Sequence, residues 1–302
     1  MLTRGDQRAV VTEVGATLRA YDVSGTAICW GFDEDELSTG GRGQVLAPWP
    51  NRIANGVYSF GGLEARVPLD EPEHNNAIHG LVRWMAFRPA EVTADSARLE
   101  TDLLPQPAYP FNLALAIEYR LVPSGLEVLT IARNTGDRPA PFGVGFHDYL
   151  DAGPARVDGL TVDVAADRRL VLNGRKLPIG EEDVAGSAFA VLNAGTAQAP
   201  IGALEVDDCF GALRRGDDGT WRATIVRGAG ALDTIELWAD AAYKWAMVYT
   251  GDTLRPELRR QAIAVEPMTC PPDAFRSGRD VLVLAPGEEF TARWGIDLPG
   301  LR

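Results

Sequence analysis

Lysine is all but missing from this chain: of 29 basic residues only Lys176 and Lys244 are lysines, leaving 27 arginines (29 − 2). Against 42 acidic residues the net charge is −13. A surface of that sign repels phosphate backbones and anionic lipid headgroups, which argues against nucleic acid or a membrane as partner. Cysteine is scarce too. Cys29, Cys209 and Cys270 are scattered, odd in number and form no CxxC pair, so a disulfide framework, a zinc ribbon and a thioredoxin-type site all lack footing. No run approaches eighteen apolar residues, and Met1–Val14 lacks the apolar stretch of a signal peptide. With the unpaired cysteine count, which suits a reducing compartment, this gives cytoplasm as the expected location. Also missing are a GxSxG elbow, a Cys–His signature, a P-loop and a GxGxxG turn.

What remains is strand. Period-two alternation recurs at Arg8–Val14, Val57–Phe60, Ala97–Leu103, Leu113–Leu121, Trp221–Arg227, Thr234–Trp238, Lys244–Thr250, Ala262–Glu266, Val281–Leu284 and Phe290–Ile296. These runs are rich in the β-branched and aromatic residues that a pleated, half-buried surface favours. Leu126–Ile131 reads as a strand buried on both faces. Pro123-Ser124-Gly125, Asn134-Thr135-Gly136-Asp137 and Ala285-Pro286-Gly287-Glu288 carry turn chemistry between runs. Strands at roughly ten-residue spacing with no sustained helical stripe predict an all-β fold with the rhythm of a sandwich or a barrel. Only Gly251–Leu258 suggests a short helical turn. No linker or repeat interrupts the chain, so one domain over residues 1–302 is the expectation. The acidic stretch Asp33–Glu36 reads as a solvated loop.

Several segments are too rigid and too polar for plain connectors. In Ala47-Pro48-Trp49-Pro50-Asn51-Arg52 two prolines stiffen the backbone beside an aromatic ring and a guanidinium, a combination suited to hydroxyl-rich ligands. The plain alternative has Arg52 paired with a surface carboxylate. All three histidines lie in two such segments, His74-Asn75-Asn76-Ala77-Ile78-His79-Gly80 and Gly143-Val144-Gly145-Phe146-His147-Asp148-Tyr149. His74 reads as structural. His147, among Phe146, Tyr149 and Leu150, is expected to be partly buried and to titrate around neutrality. Glu266 is expected at the end of a buried strand, with Pro267 ending the ladder. A carboxylate there is costly unless it has a function or pairs with an arginine. The twin aspartates Asp207-Asp208 make a weak metal motif, lacking a clustered histidine. One histidine and one strand-end carboxylate, without a nucleophile, favour chemistry that needs only proton transfers.

The residues then match a known pattern. Gly15-Ala16-Thr17-Leu18, Pro48-Trp49-Pro50-Asn51-Arg52-Ile53 with Asn55-Gly56, Ile78-His79-Gly80 and Tyr109-Pro110-Phe111 stand in order. Asn134 with Gly136-Asp137, Pro141-Phe142-Gly143, Gly145-Phe146-His147, Asp207 with Phe210, Tyr249-Thr250-Gly251 and Glu266-Pro267 follow. With these motifs the chain resembles the aldose 1-epimerases, or galactose mutarotases, over nearly its whole length. The resemblance implies a large antiparallel β-sandwich and conversion between the α and β anomers of a free aldohexose. It implies Glu266 as the base at the O1 hydroxyl and His147 as the acid at ring oxygen O5. It further implies His79 near the ring oxygen and Arg52, Asp207 and Asn51 as substrate-binding residues. No metal or organic cofactor is implied, and the partner is a small monosaccharide bound by a monomer or homodimer. Asp148 departs from the pattern, in which proline commonly follows the histidine, and Asp208 competes with Asp207 for the binding role. Two other functions share the pattern: epimerisation of a hexose 6-phosphate, and sugar binding without catalysis. Trp49, Trp84, Trp238 and Trp245 are candidate stacking faces for a sugar.

Overall fold

The computed structural model describes residues 1–193 and 199–301, and they form two large antiparallel sheets. The first has twelve strands. Its main path runs Leu2–Arg4, Gln7–Val11, Leu18–Val23, Thr26–Cys29, Tyr149–Asp151, Ala262–Met268, Trp245–Tyr249, Asp207–Leu213, Ala166–Leu172, Pro178–Asp183. Gly145–Phe146 and Val45–Leu46 branch from it beside Ala262–Met268. The second sheet has eight strands, ordered Arg88–Val92, Ser96–Leu103, Leu113–Val122, Gly125–Asn134, Glu289–Asp297, Thr234–Ala239, Trp221–Val226, Thr161–Asp163. The expected all-β architecture, a large antiparallel β-sandwich, is the fold observed.

Alternation drives the packing. In Trp221–Val226 and Thr234–Ala239 every second residue is fully buried, and the apolar faces of the two sheets meet. Phe146 of the first sheet packs on Trp294 of the second, ring centroids 5.0 Å apart. Each fully buried side chain of this kind contributes about 1.5–3 kcal/mol. Polar tips inside this core are satisfied: the Tyr119 hydroxyl donates to the Ala16 carbonyl at 2.7 Å and the Trp221 indole N–H to the Val164 carbonyl at 2.6 Å.

Two expectations need correction and one holds. Gly125–Asn134 is not buried on both faces: Leu126, Val128, Thr130 and Ala132 are buried, whereas Glu127, Leu129 and Ile131 stay half covered, because only one face meets the other sheet. Gly251–Leu258 holds the short turn expected of it, Leu258 and Arg259 both donating to the Arg255 carbonyl, and the one α-helix among the described residues is Ala274–Ser277, set after a buried proline pair. Pro267 does not end its strand, which continues to Met268 with Ala246 opposite Pro267. Val265 and Thr269 donate their N–H groups to Asp148 and Val144 on the far side of that strand. Pro267 has the same parity, so its missing N–H faces the Gly145–Phe146 strand, which pairs with this strand at Gly145 and Met268 and with Val45–Leu46 on its other side.

Candidate active site

The site lies where the chain runs from Gly145, paired with Met268, to Tyr149, paired with Ala264, past Glu266 on the neighbouring strand. Register sets one wall: Glu266 faces Met247, and Tyr249 faces both Ala264 and Asp207. Directly opposed residues share a sheet face, so Glu266, Met247, Tyr249 and Asp207 line one cavity of about 380 Å³. Asp208 points to the other face, where it is paired with Arg169. Asp207 is the aspartate in the cavity, 3.0 Å from Lys176 Nζ.

His147 enters from the opposite wall. Its N–H donates to the Gln44 carbonyl and its own carbonyl accepts from Gly43 N–H, both at 3.0 Å. Its ring stacks on Tyr149, centroids 5.1 Å apart and planes at 19°. Gly41 covers the other side so closely that a Cβ there would lie 2.5 Å from His147 Cδ2. Held in this slot, His147 Nε2 stands 3.2 Å from Glu266 Oε1. His79 meets the His147 ring edge to face, centroids 5.2 Å apart.

The stiffened loop supplies the third wall. Arg52 makes a forked pair with Glu71, Nε to Oε2 at 2.9 Å and Nη2 to Oε1 at 2.8 Å. Its Nη1 donates to Asn51 Oδ1 at 3.4 Å. A guanidinium has five N–H donors, so these three bonds leave two for a ligand. The Arg52 carboxylate partner is therefore buried and inside the site, not on the surface. Asn51 and Arg52 both line the cavity. All six residues singled out by the sequence, Asn51, Arg52, His79, His147, Asp207 and Glu266, border the same space.

Burial dominates the electrostatics. It pushes the Glu266 carboxyl well above its ordinary range, helped by the Asp207 charge and opposed by Arg52. It lowers His147 to about 3, with Arg83 and Arg52 adding repulsion, and takes His79 well below its usual value. The expectation that His147 titrates near neutrality is corrected here: the ring is only 6% exposed, and an imidazolium loses its hydration. Glu266 pairs with no arginine. Its Oε2, together with Nδ1 of both His79 and His147, is buried without a hydrogen-bond partner. Such groups call for a bound polar molecule. Glu71, Glu73 and His74 at the rim are close enough to share a cation, but both Glu71 oxygens already accept from Arg52.

Sequence reasoning missed Glu71, Tyr149, Lys176 and Arg83, which is ion-paired with Asp70 at the cavity wall. The four tryptophans are not in the cavity lining. Trp49 is buried against Phe275, with centroids 5.6 Å apart, and Trp245 is buried as well.

A profile of the aldose 1-epimerase family matches residues 2–297. The uncharacterized protein YihR of Escherichia coli K12 is 36% identical over 289 residues, covering 95% of this chain and 89% of that protein. A maltose epimerase of Levilactobacillus brevis is 29% identical over 185 residues, 55% of this chain and 53% of its own. Among solved structures, the GalM/aldose epimerase homologue from C. elegans superposes with a TM-score of 0.81 at 17% identity, covering 97% of this chain and 96% of that one.

Proposed function

We propose that this chain, which belongs to the aldose 1-epimerase family, interconverts the α and β anomers of a free aldose by opening and reclosing its pyranose ring. The observation that carries the reading is the 3.2 Å contact between His147 Nε2 and Glu266 Oε1 within the cavity. The two reacting oxygens, O1 and O5, sit on the same carbon. A proton acceptor for one and a proton donor for the other must then stand almost in contact.

Glu266 takes the O1 proton, His147 delivers a proton to O5, the C1–O5 bond breaks and C1=O1 forms. Rotation about C1–C2 presents the other face of the aldehyde, and the two transfers run in reverse. The pair gains one proton and gives up one, so its count is unchanged. Burial favours the uncharged arrangement, with the shared proton on Glu266. Passing it across the contact to Nε2 yields the carboxylate and imidazolium that the first step uses. Arg52, Asn51, His79 and Asp207 orient the ring hydroxyls. The arginines that line the cavity, Arg52 and Arg83, are already paired with Glu71 and Asp70, and Lys176 next to the lining is paired with Asp207, which supports a free sugar over a phosphorylated one.

Anomer-exchange NMR on galactose, glucose and maltose tests the reading. Glu266→Gln is expected to slow exchange by about 10²–10⁴-fold while sugar binding stays detectable. A wild-type rate no faster than buffer for every aldose would leave only a sugar-binding role.

A further inference from the structure

Behind the Ser38–Gln44 segment lies a second cavity of about 320 Å³, separate from the catalytic one. The two share walls: Gly40, Gly41 and Arg83 face the catalytic space, while Ser38, Gln44 and Trp84 face this one. We propose that this second cavity is a saccharide-binding site, taking one pyranose ring against Trp84 and Gln44. It rests on side chains that the catalytic reading does not use; of Gln44 that reading uses only the backbone carbonyl.

Gln44 carries the argument. Its side chain is 1% exposed, it lines the cavity, and neither its Nε2 nor its Oε1 has a hydrogen-bond partner. An unpartnered buried amide costs stability unless something supplies both an acceptor and a donor. A vicinal pair of sugar hydroxyls does both, one accepting from Nε2 and the other donating to Oε1. Arg19 Nε, at the same wall, is also buried without a partner. The Ser38 and Thr17 hydroxyls spend their hydrogens on the Arg42 and Val14 carbonyls, which leaves them as acceptors.

The opposite wall is apolar. Trp84 is 50% exposed, and Leu37 and Val14 beside it are exposed too, an arrangement that water alone does not explain. The C–H face of a pyranose lies flat on an indole while its hydroxyls reach the amide. Glu34 and Glu36 at the rim accept further hydroxyls and disfavour an anionic occupant.

The test titrates the full-length protein with methyl α-D-glucopyranoside and with maltose, followed by calorimetry and by the indole N–H signals. The glycoside cannot open its ring, so catalysis does not disturb the measurement. The expected result is two binding events, one of them shifting the Trp84 indole. Trp84→Ala should weaken that event by about tenfold or more while galactose exchange persists. Gln44→Met, of similar length but without the amide's hydrogen-bonding groups, should weaken the same event. A single binding event, an unmoved Trp84 signal, or wild-type affinity in both variants would overturn the proposal, and leave Gln44 satisfied by water. Loss of galactose exchange in Trp84→Ala would overturn it as a separate site. Should the wild type fail to exchange anomers yet show the Trp84 event, the second site stands and the catalytic reading falls.

Discussion

Asp148 follows His147 in the chain and is 1% exposed, with Oδ2 lacking any hydrogen-bond partner. Burial raises its carboxyl from 3.8 to about 7. The native state thus holds a proton that the unfolded chain has already released. Stability from this group is greatest below about pH 4, falls as pH rises, and levels off once the native carboxyl ionises near 7. Asp148→Asn cannot ionise, so its stability relative to wild type should grow across that window by a few kcal/mol, on the order set by the shift. Urea midpoints measured at pH 4.5 and pH 8 check this, and equal differences at the two values would refute it. The same scale shows what a sequence reveals of a site. His147 and Glu266 stand out because each is an expensive residue in an apolar setting. Glu71 does not, since Asp70-Glu71-Pro72-Glu73 looks like any solvated acidic turn. Only its fork with Arg52, nineteen residues earlier, buries it. Lys176 is hidden in the same way: it reaches Asp207 because its hairpin joins the sheet beside the Asp207–Leu213 strand.

Among the elements, the Gly40–Gly43 loop has the most leverage on the proposed chemistry. Gly41 sits at φ +80°, where side chains are disfavoured, and its backbone forms one jaw of the slot that holds His147. The other jaw is Tyr149, whose hydroxyl donates to the Gly40 carbonyl at 2.8 Å and so fastens the loop. Gly41→Ala should push the imidazole off its line to Glu266. A displacement of that size costs about 10²-fold in rate, with the fold retained. Unchanged anomer exchange in this variant would show that the loop does not set the ring. Strands themselves were legible wherever one face alternates apolar residues, as in Ser96–Leu103 and Leu113–Val122. Ala166–Leu172 and Pro178–Asp183 were not. At the sheet edge their side chains are largely charged and matched in cross-strand pairs, such as Arg168 with Glu181 and Asp183. Such polar edges resist pairing with other chains and leave no hydrophobic period to read.

For the whole molecule, the all-β class was readable from turn spacing and the sandwich came with the family resemblance, but the order of strands was readable from neither. Tyr149–Asp151 lies between Thr26–Cys29 and Ala262–Met268, more than a hundred residues away in either direction. No local pattern encodes such a neighbour, and that strand is what brings His147 to Glu266. Charge acts at this scale too. The net charge of −13 surrounds a cavity that already holds Asp70, Glu71, Glu73, Asp207 and Glu266. A dianionic phosphate approaching it meets repulsion from outside and finds every cavity cation engaged. Glucose 6-phosphate should therefore exchange anomers more slowly than glucose. Because part of that penalty is long-range, added salt should narrow the gap, the screening length shrinking to about 8 Å at physiological ionic strength. Exchange rates of both sugars at low and high salt decide the matter. If the phosphorylated sugar proves faster, one of the paired arginines must release its carboxylate on binding, and Arg83, whose partner Asp70 is the more exposed, is the one that gives way.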